Sequence, residues 1–198
     1  MECRPIYNEA YFSQITTAIL DHYLDLVRSE KEKEALVLLN DLIKYFRQIC
    51  LNVEFSFWQD KEKDKWGLRN VKLRHSRVII YVGLLFLILN SSKKRSEKIN
   101  YLKSNIHLSP LEKIYSVYED NIDYNFERVM GAYNNFLQKV QNNNVRNELK
   151  KLTYNDRYCN DDYVQLKINS DFLQSELTRF IMDNRNNWTS KIIEYLFF

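Results

Sequence analysis

At 198 residues, with 45% apolar residues, 14 Tyr and 11 Phe, the chain has the composition of a folded protein with a real core, which excludes a disordered chain. Only three Gly and two Pro exclude a turn-rich all-β fold and point to long helices in a single domain spanning 1–198. The net charge of +3 permits an acidic partner but does not demand nucleic acid.

Tyr11, Ile15, Ile19, His22 and Leu26 recur at helical spacing and predict a first helix over about 8–28 with that face turned inward. His22 then reads as a buried, hydrogen-bonded histidine rather than a metal ligand. Two neighbouring stripes, Leu38, Leu42, Tyr45, Ile49, Val53 and Leu39, Ile43, Phe46, Cys50, predict a second helix over about 31–53. Val53 to Trp58 alternates and fits either a strand or a helix end. A charged loop then runs to Gly67.

The stretch from Arg69 to Asn90, "RNVKLRHSRVIIYVGLLFLILN", joins a basic half to an unbroken apolar run. Val78 to Leu89 is 12 residues, against about 20 needed to span a bilayer. The run therefore predicts a central buried helix near 70–90. A basic turn follows, and a helix over about 96–106. Lys93, Lys94, Arg95 and Lys98, with Lys103 and Tyr101 among them, form a basic patch suited to phosphate. The ordinary reading of the same residues is a charged turn.

"SPLE" at 109–112 is a helix start: Ser109 caps, Pro110 sits in the first turn and Glu112 reaches back. From Leu111 to Val140 apolar residues march at 3–4 spacing. They predict one helix to about 141, roughly 48 Å long at 1.5 Å per residue, with Gly131 as a place to bend. Such a helix, through Tyr133, and the apolar C-terminus, through Phe198, offer surfaces for a protein partner or for self-association. His107 faces solvent, and Glu119, Asp120 and Asp123 make an acidic patch. The polar stretch 141–162 reads as an irregular connection with one helical turn. Tyr163 to Ile168 alternates like a strand, Ser170 caps a helix to about Asp183, and a last helix covers 188–198. The fold class is all-α, with about six or seven helices around the buried helix and one or two short extended segments.

Cys3, Cys50 and Cys159 are odd in number and lie far apart, which fits reduced thiols in the cytosol and neither a disulfide framework nor a zinc site. The first residues contain no apolar signal segment. No phosphate-binding glycine loop, serine nucleophile elbow or zinc-protease motif occurs, so no cofactor or metal is expected.

Arg69 and His75, with Asn70 between them at the entry to a helix, carry sensible chemistry for phosphodiester cleavage. A histidine titrates near neutrality and an arginine holds developing phosphate charge. "RNVKLRH" resembles the motif of HEPN-superfamily ribonucleases. That resemblance implies metal-independent RNA cleavage by a dimer, with His75 moving the 2′-OH proton and Arg69 on the phosphate. Six helical steps leave the two side chains roughly 120° apart, so they converge only if Gly67 to Arg69 is loop. The bland alternative is a solvated basic helix mouth.

A second resemblance covers about 40–111. "LIKYFRQICLNVEF", then "GLR" before "LLFLILNSS", then "KINYLKSNIHLSPL" follows the segment order of AbiC-type phage abortive-infection proteins. Here the spacing between "LR" and the apolar run is longer than in that family. The resemblance implies a role in anti-phage defence. The leading expectation is thus a cytoplasmic, non-enzymatic helical interaction protein in phage–host conflict. It binds a protein or nucleic-acid partner and no membrane. The alternatives are the HEPN-like ribonuclease and a viral helical protein that binds a host factor.

Overall fold

The computed structural model describes residues 7–25, 34–58, 65–91, 95–184 and 188. The fold is all-α, with no strand among the described residues. The helices are α1 (Glu9–Asp25), α2 (Glu34–Trp58), α3 (Trp66–Lys72), α4 (Val78–Asn90), α5 (Arg95–Asn105), α6 (Pro110–Asp120), α7 (Phe126–Gln141), α8 (Asn143–Lys151) and α9 (Asp161–Asp183). A π turn, Leu73–Arg77, joins α3 to α4, so these nine segments form eight helices. The expected final helix over 188–198 lies outside the described residues, apart from Trp188.

The chain divides into two compact units whose segments alternate along the sequence. One draws its described residues from 1–45, 79–122 and 184–198, the other from 46–78 and 123–183.

In the first unit, α4 is the predicted core helix. Nine of its thirteen residues are buried, from Ile79 through Leu89. A helix apolar on all sides has no face to offer water, so it sits inside. Phe86 meets Tyr118 of α6 and the Trp188 ring at centroid distances of 6.3 and 5.8 Å. Gly83 lies where the start of α6 passes: an added Cβ would stand 2.7 Å from the Pro110 carbonyl oxygen. The predicted capping box at Ser109 is present, with Ser109 Oγ accepting from the Glu112 N–H and Glu112 accepting from the Ser109 N–H at 2.7 Å.

The first helix is turned the other way from expectation. Leu20 is buried, while Tyr11, Ile15, Ile19 and His22 face solvent. The polar side of α1 faces α5 and the turn after it. Asp21 pairs with Lys103 at 2.7 Å, and the Ser13 hydroxyl lies 3.3 Å from the exposed His107 ring. An ion pair and a hydrogen bond hold the side that periodicity assigned to water.

Of the two readings open for Val53 to Trp58, the helix end is the one observed, since these residues close α2. Three other expectations are corrected. Tyr163 to Ile168 belongs to α9. In α9 the buried residues Tyr163, Leu166, Ser170, Leu173, Leu177 and Phe180 repeat at 3–4 spacing. Six alternating residues at one end gave too short a window to show it. Ser170 is not a cap but a buried mid-helix residue, its hydroxyl donating to the Lys167 carbonyl at 2.7 Å. The connection at 141–162 contains the nine-residue α8 as well as a 3-10 turn, Arg157–Cys159.

The single long helix over 110–141 is two, because Asn121 to Asn125 breaks it. Ile122 adopts φ 54°, a left-handed conformation that β-branched residues rarely take, and is 74% exposed. Asp123 accepts hydrogen bonds from both the backbone and side-chain N–H groups of Asn125, at 2.8 and 2.7 Å, closing the turn locally. Ile122 matched the apolar spacing without joining the core. Gly131, the expected bend, lies within α7, exposed, with nothing within 4 Å of an added Cβ. Gly131→Ala therefore raises stability by about 0.5–1 kcal/mol through helix propensity. A higher urea midpoint with an unchanged slope checks it.

Candidate functional site

The π turn Leu73–Arg77 has His75 at its centre. π turns insert a residue into an α-helix and occur often at functional sites. Here the inserted geometry sends the imidazole inward. His75 is fully buried and stacked on Phe136 of α7, with ring centroids 4.4 Å apart and planes 8° from parallel. Its Nδ1 lies 2.8 Å from the Val71 carbonyl oxygen, which only accepts, so Nδ1 carries the proton. Nε2 then accepts from Asn169 Nδ2 at 3.1 Å. The same amide donates to the Ala132 carbonyl at 2.9 Å, and Asn169 Oδ1 accepts from Asn135 Nδ2 at 3.2 Å. Burial pushes the imidazole pKa below its usual value of 6.5, with the positive charge of Arg74 adding to the shift and the Val71 bond opposing it.

Arg69 lies half-buried on α3, inside a helix rather than on the loop that convergence with His75 required. Gly67 is likewise helical. It is small because α8 abuts it: a Cβ there would come 2.7 Å from the Leu149 carbonyl oxygen. Both ring nitrogens of His75 are occupied by Val71 and Asn169, so neither engages Arg69. Asn70 Oδ1 accepts from the Tyr163 hydroxyl at 3.1 Å. Arg74 donates through Nε to Ser170 Oγ at 2.7 Å and pairs with Asp171. The basic half of the helix is thus neither a bare solvated mouth nor an open site. It is anchored by polar contacts to α7 and α9.

The other expected binding residues scatter. Lys93, Lys94 and Phe198 lie outside the described residues, and Arg95 opens α5. Lys98 is buried and so leaves the solvated patch. The Tyr101 hydroxyl donates to Asp120 at 2.9 Å and accepts from Asn90 Nδ2 at 2.9 Å. Asn90 also donates to Asp120 at 2.8 Å. Its oxygen receives Asn121 Nδ2 at 2.9 Å and the Trp188 indole N–H at 3.3 Å. Asn90, which ends the apolar run, is therefore a structural tie among α4, α5, α6 and Trp188. Tyr133 is half-buried against Phe136, its hydroxyl 3.5 Å from Ser76 Oγ. Asp123 of the acidic patch pairs with Arg179 at 3.6 Å.

Sequence reasoning missed two features. One is the Asn169 amide, 94 residues from His75, for which no local signal exists. The other is Arg157 with Tyr154 and Tyr158, legible only as the pentapeptide Tyr-Asn-Asp-Arg-Tyr.

The fold defines an all-α protein. Among the described residues no helix is long and apolar enough to cross a membrane, and no group of three or more His, Cys, Asp or Glu could hold a metal ion. No protein-family model, no curated protein and no solved structure matches the chain.

Proposed function

We propose that this chain is a cytosolic helical interaction protein that docks through the outer face of α1, with a second copy of itself as the occupant. The observation that carries this reading is the character of that face. Among the α1 residues whose side chains are described, the exposed ones are Ala10, Tyr11, Gln14, Ile15, Ala18, Ile19 and His22, none of them Asp, Glu, Lys or Arg. In a chain with 28% charged residues, an average set of seven would hold about two, and solvated helix faces usually hold more. Tyr11, Ile15 and Ile19, at 60, 43 and 52% exposure, form one ridge, continued by the exposed Tyr7. The Tyr11–Ile15–Ile19 ridge needs no complementary charge opposite it. Two copies can therefore pair about a two-fold axis without like-charge repulsion, and the small Ala10 and Ala18 permit close approach.

A role in phage–host conflict rests on the resemblance over about 40–111. The ribonuclease alternative gains nothing from His75, whose ring is enclosed. Sedimentation of the wild type beside Ile15→Glu/Ile19→Lys tests the reading. The wild type should self-associate in the micromolar range and the variant should remain a folded monomer. A wild type that stays monomeric throughout overturns it. In a bacterial host expressing the chain, phage plaques should be fewer with the wild type than with the variant.

A further inference from the structure

Outside α1 the chain carries a second surface of different chemistry. In the 3-10 turn between α8 and α9, the Arg157 guanidinium carbon lies 3.7 Å from the Tyr154 ring centroid and 4.5 Å from that of Tyr158. Tyr154 stands edge-on against Trp66 of α3, at 5.3 Å and 83°, and Trp66 in turn packs on Tyr163 at 5.4 Å. The turn is thus braced on the core by aromatic contacts while Tyr158 stays 60% exposed. A large ring held in place yet open to water is a preformed stacking surface, since its ordering is already accomplished.

The surroundings are basic. Residues 65–77 and 146–162 hold Lys65, Arg69, Lys72, Arg74, Arg77, Arg146, Lys150, Lys151 and Arg157 against Glu148, Asp156, Asp161 and Asp162, the last of which pairs with Lys139. Asp156 is occupied by the Thr153 hydroxyl at 2.6 Å, and Arg74 is partly offset by Asp171. The contact at Gly67 sets the end of α8, with Lys150 and Lys151, against the start of α3, with Lys65. Burial pushes the Tyr163 hydroxyl pKa up, while the charges of Arg74 and Arg157 oppose the shift. Both guanidinium groups therefore act on one region.

We infer that the Tyr154–Arg157–Tyr158 turn, with the flanking lysines of α3 and α8, binds single-stranded nucleic acid: a base stacks on Tyr158 and adjacent phosphates meet the cations. Aromatic faces beside a cationic track are how sequence-tolerant single-strand binding is built, and an arginine over the ring strengthens it. An acidic peptide would use the cations but leave the tyrosine faces without a role. A duplex would hide the bases. The inference is independent of the α1 reading.

Fluorescence anisotropy tests it on the full chain at 50 mM salt, with labelled 12-mer oligo-U and oligo-dT, a 12-base-pair duplex and polyglutamate. The expected result is binding to one or both single strands that weakens steeply with salt. Tyr158→Ala should weaken it about tenfold, and Tyr158→Phe, which keeps the ring, should not. Preference between oligo-U and oligo-dT identifies RNA or DNA as the source of the strand. No binding of either strand, equal binding of duplex or polyglutamate, or indifference to Tyr158→Ala overturns the proposal. The exposed position of Tyr158 keeps each variant folded, which circular dichroism verifies.

Discussion

His75→Ala should lower the unfolding free energy by about 3–5 kcal/mol, the range for removing a buried ring together with the hydrogen bonds it satisfies. Three losses combine. The Phe136 face loses its stacked partner, the buried Val71 carbonyl loses a donor, and the half-buried Asn169 amide loses an acceptor. Urea unfolding followed by circular dichroism measures it, and a loss under about 1 kcal/mol would sink the structural reading of this residue. The pH dependence has a defined sign. Burial holds the native imidazole neutral, with its pKa below 6.5. The unfolded chain therefore binds the proton more readily than the native one. This contribution to stability is complete above about pH 6.5. It falls as the pH drops toward the depressed native value and levels off below it. A protonated Nε2 would also point a donor at the donor amide of Asn169. Melting curves from pH 8 to 5 should thus show a decline in the wild type that His75→Gln lacks. The same variant serves the ribonuclease question. Total RNA incubated without added metal should stay intact with the wild type. Cleavage that vanishes in a folded His75→Gln protein would place this ring at a substrate.

Gly83→Ala should destabilise the chain by about 1–3 kcal/mol despite the better helix propensity of alanine. The new Cβ would stand 2.7 Å from the Pro110 carbonyl oxygen and 3.3 Å from its Cα. Both are backbone atoms at the start of α6, pinned by the Ser109–Glu112 capping box, so no flexible side chain can yield. Pushing α6 away would loosen the contacts of Phe86 with Tyr118. Thermal denaturation of Gly83→Ala beside Gly131→Ala gives the cleanest reading. The two substitutions are chemically identical, both lie in helices, and they should move the melting temperature in opposite directions. A gain at both positions would mean that the α4–α6 approach is not tight.

These cases show where local signals were sufficient. The Ser109–Glu112 box acts over three residues, and a 12-residue apolar run can satisfy its surface only by burial, so both were legible. The Arg69–His75 spacing was legible as a pattern but not as a site. Whether a histidine faces solvent depends on Phe136 and Asn169, which approach it from α7 and α9. Gly67 read as a loop residue for the same reason: its smallness answers to α8, not to a turn.

By itself the sequence determined the helical class, the buried α4, the capped start of α6 and the short reach of the apolar run, because each follows from composition or from contacts within a few residues. The tertiary structure alone decided that α1 turns its apolar ridge outward, since Lys103 and His107 hold its polar side. It decided that Asn121 to Asn125 breaks the long helix at a left-handed Ile122. It also enclosed His75 and left Tyr158 open on a braced turn. Periodicity reports which residues share a face, and only the partners across the fold settle which face meets water.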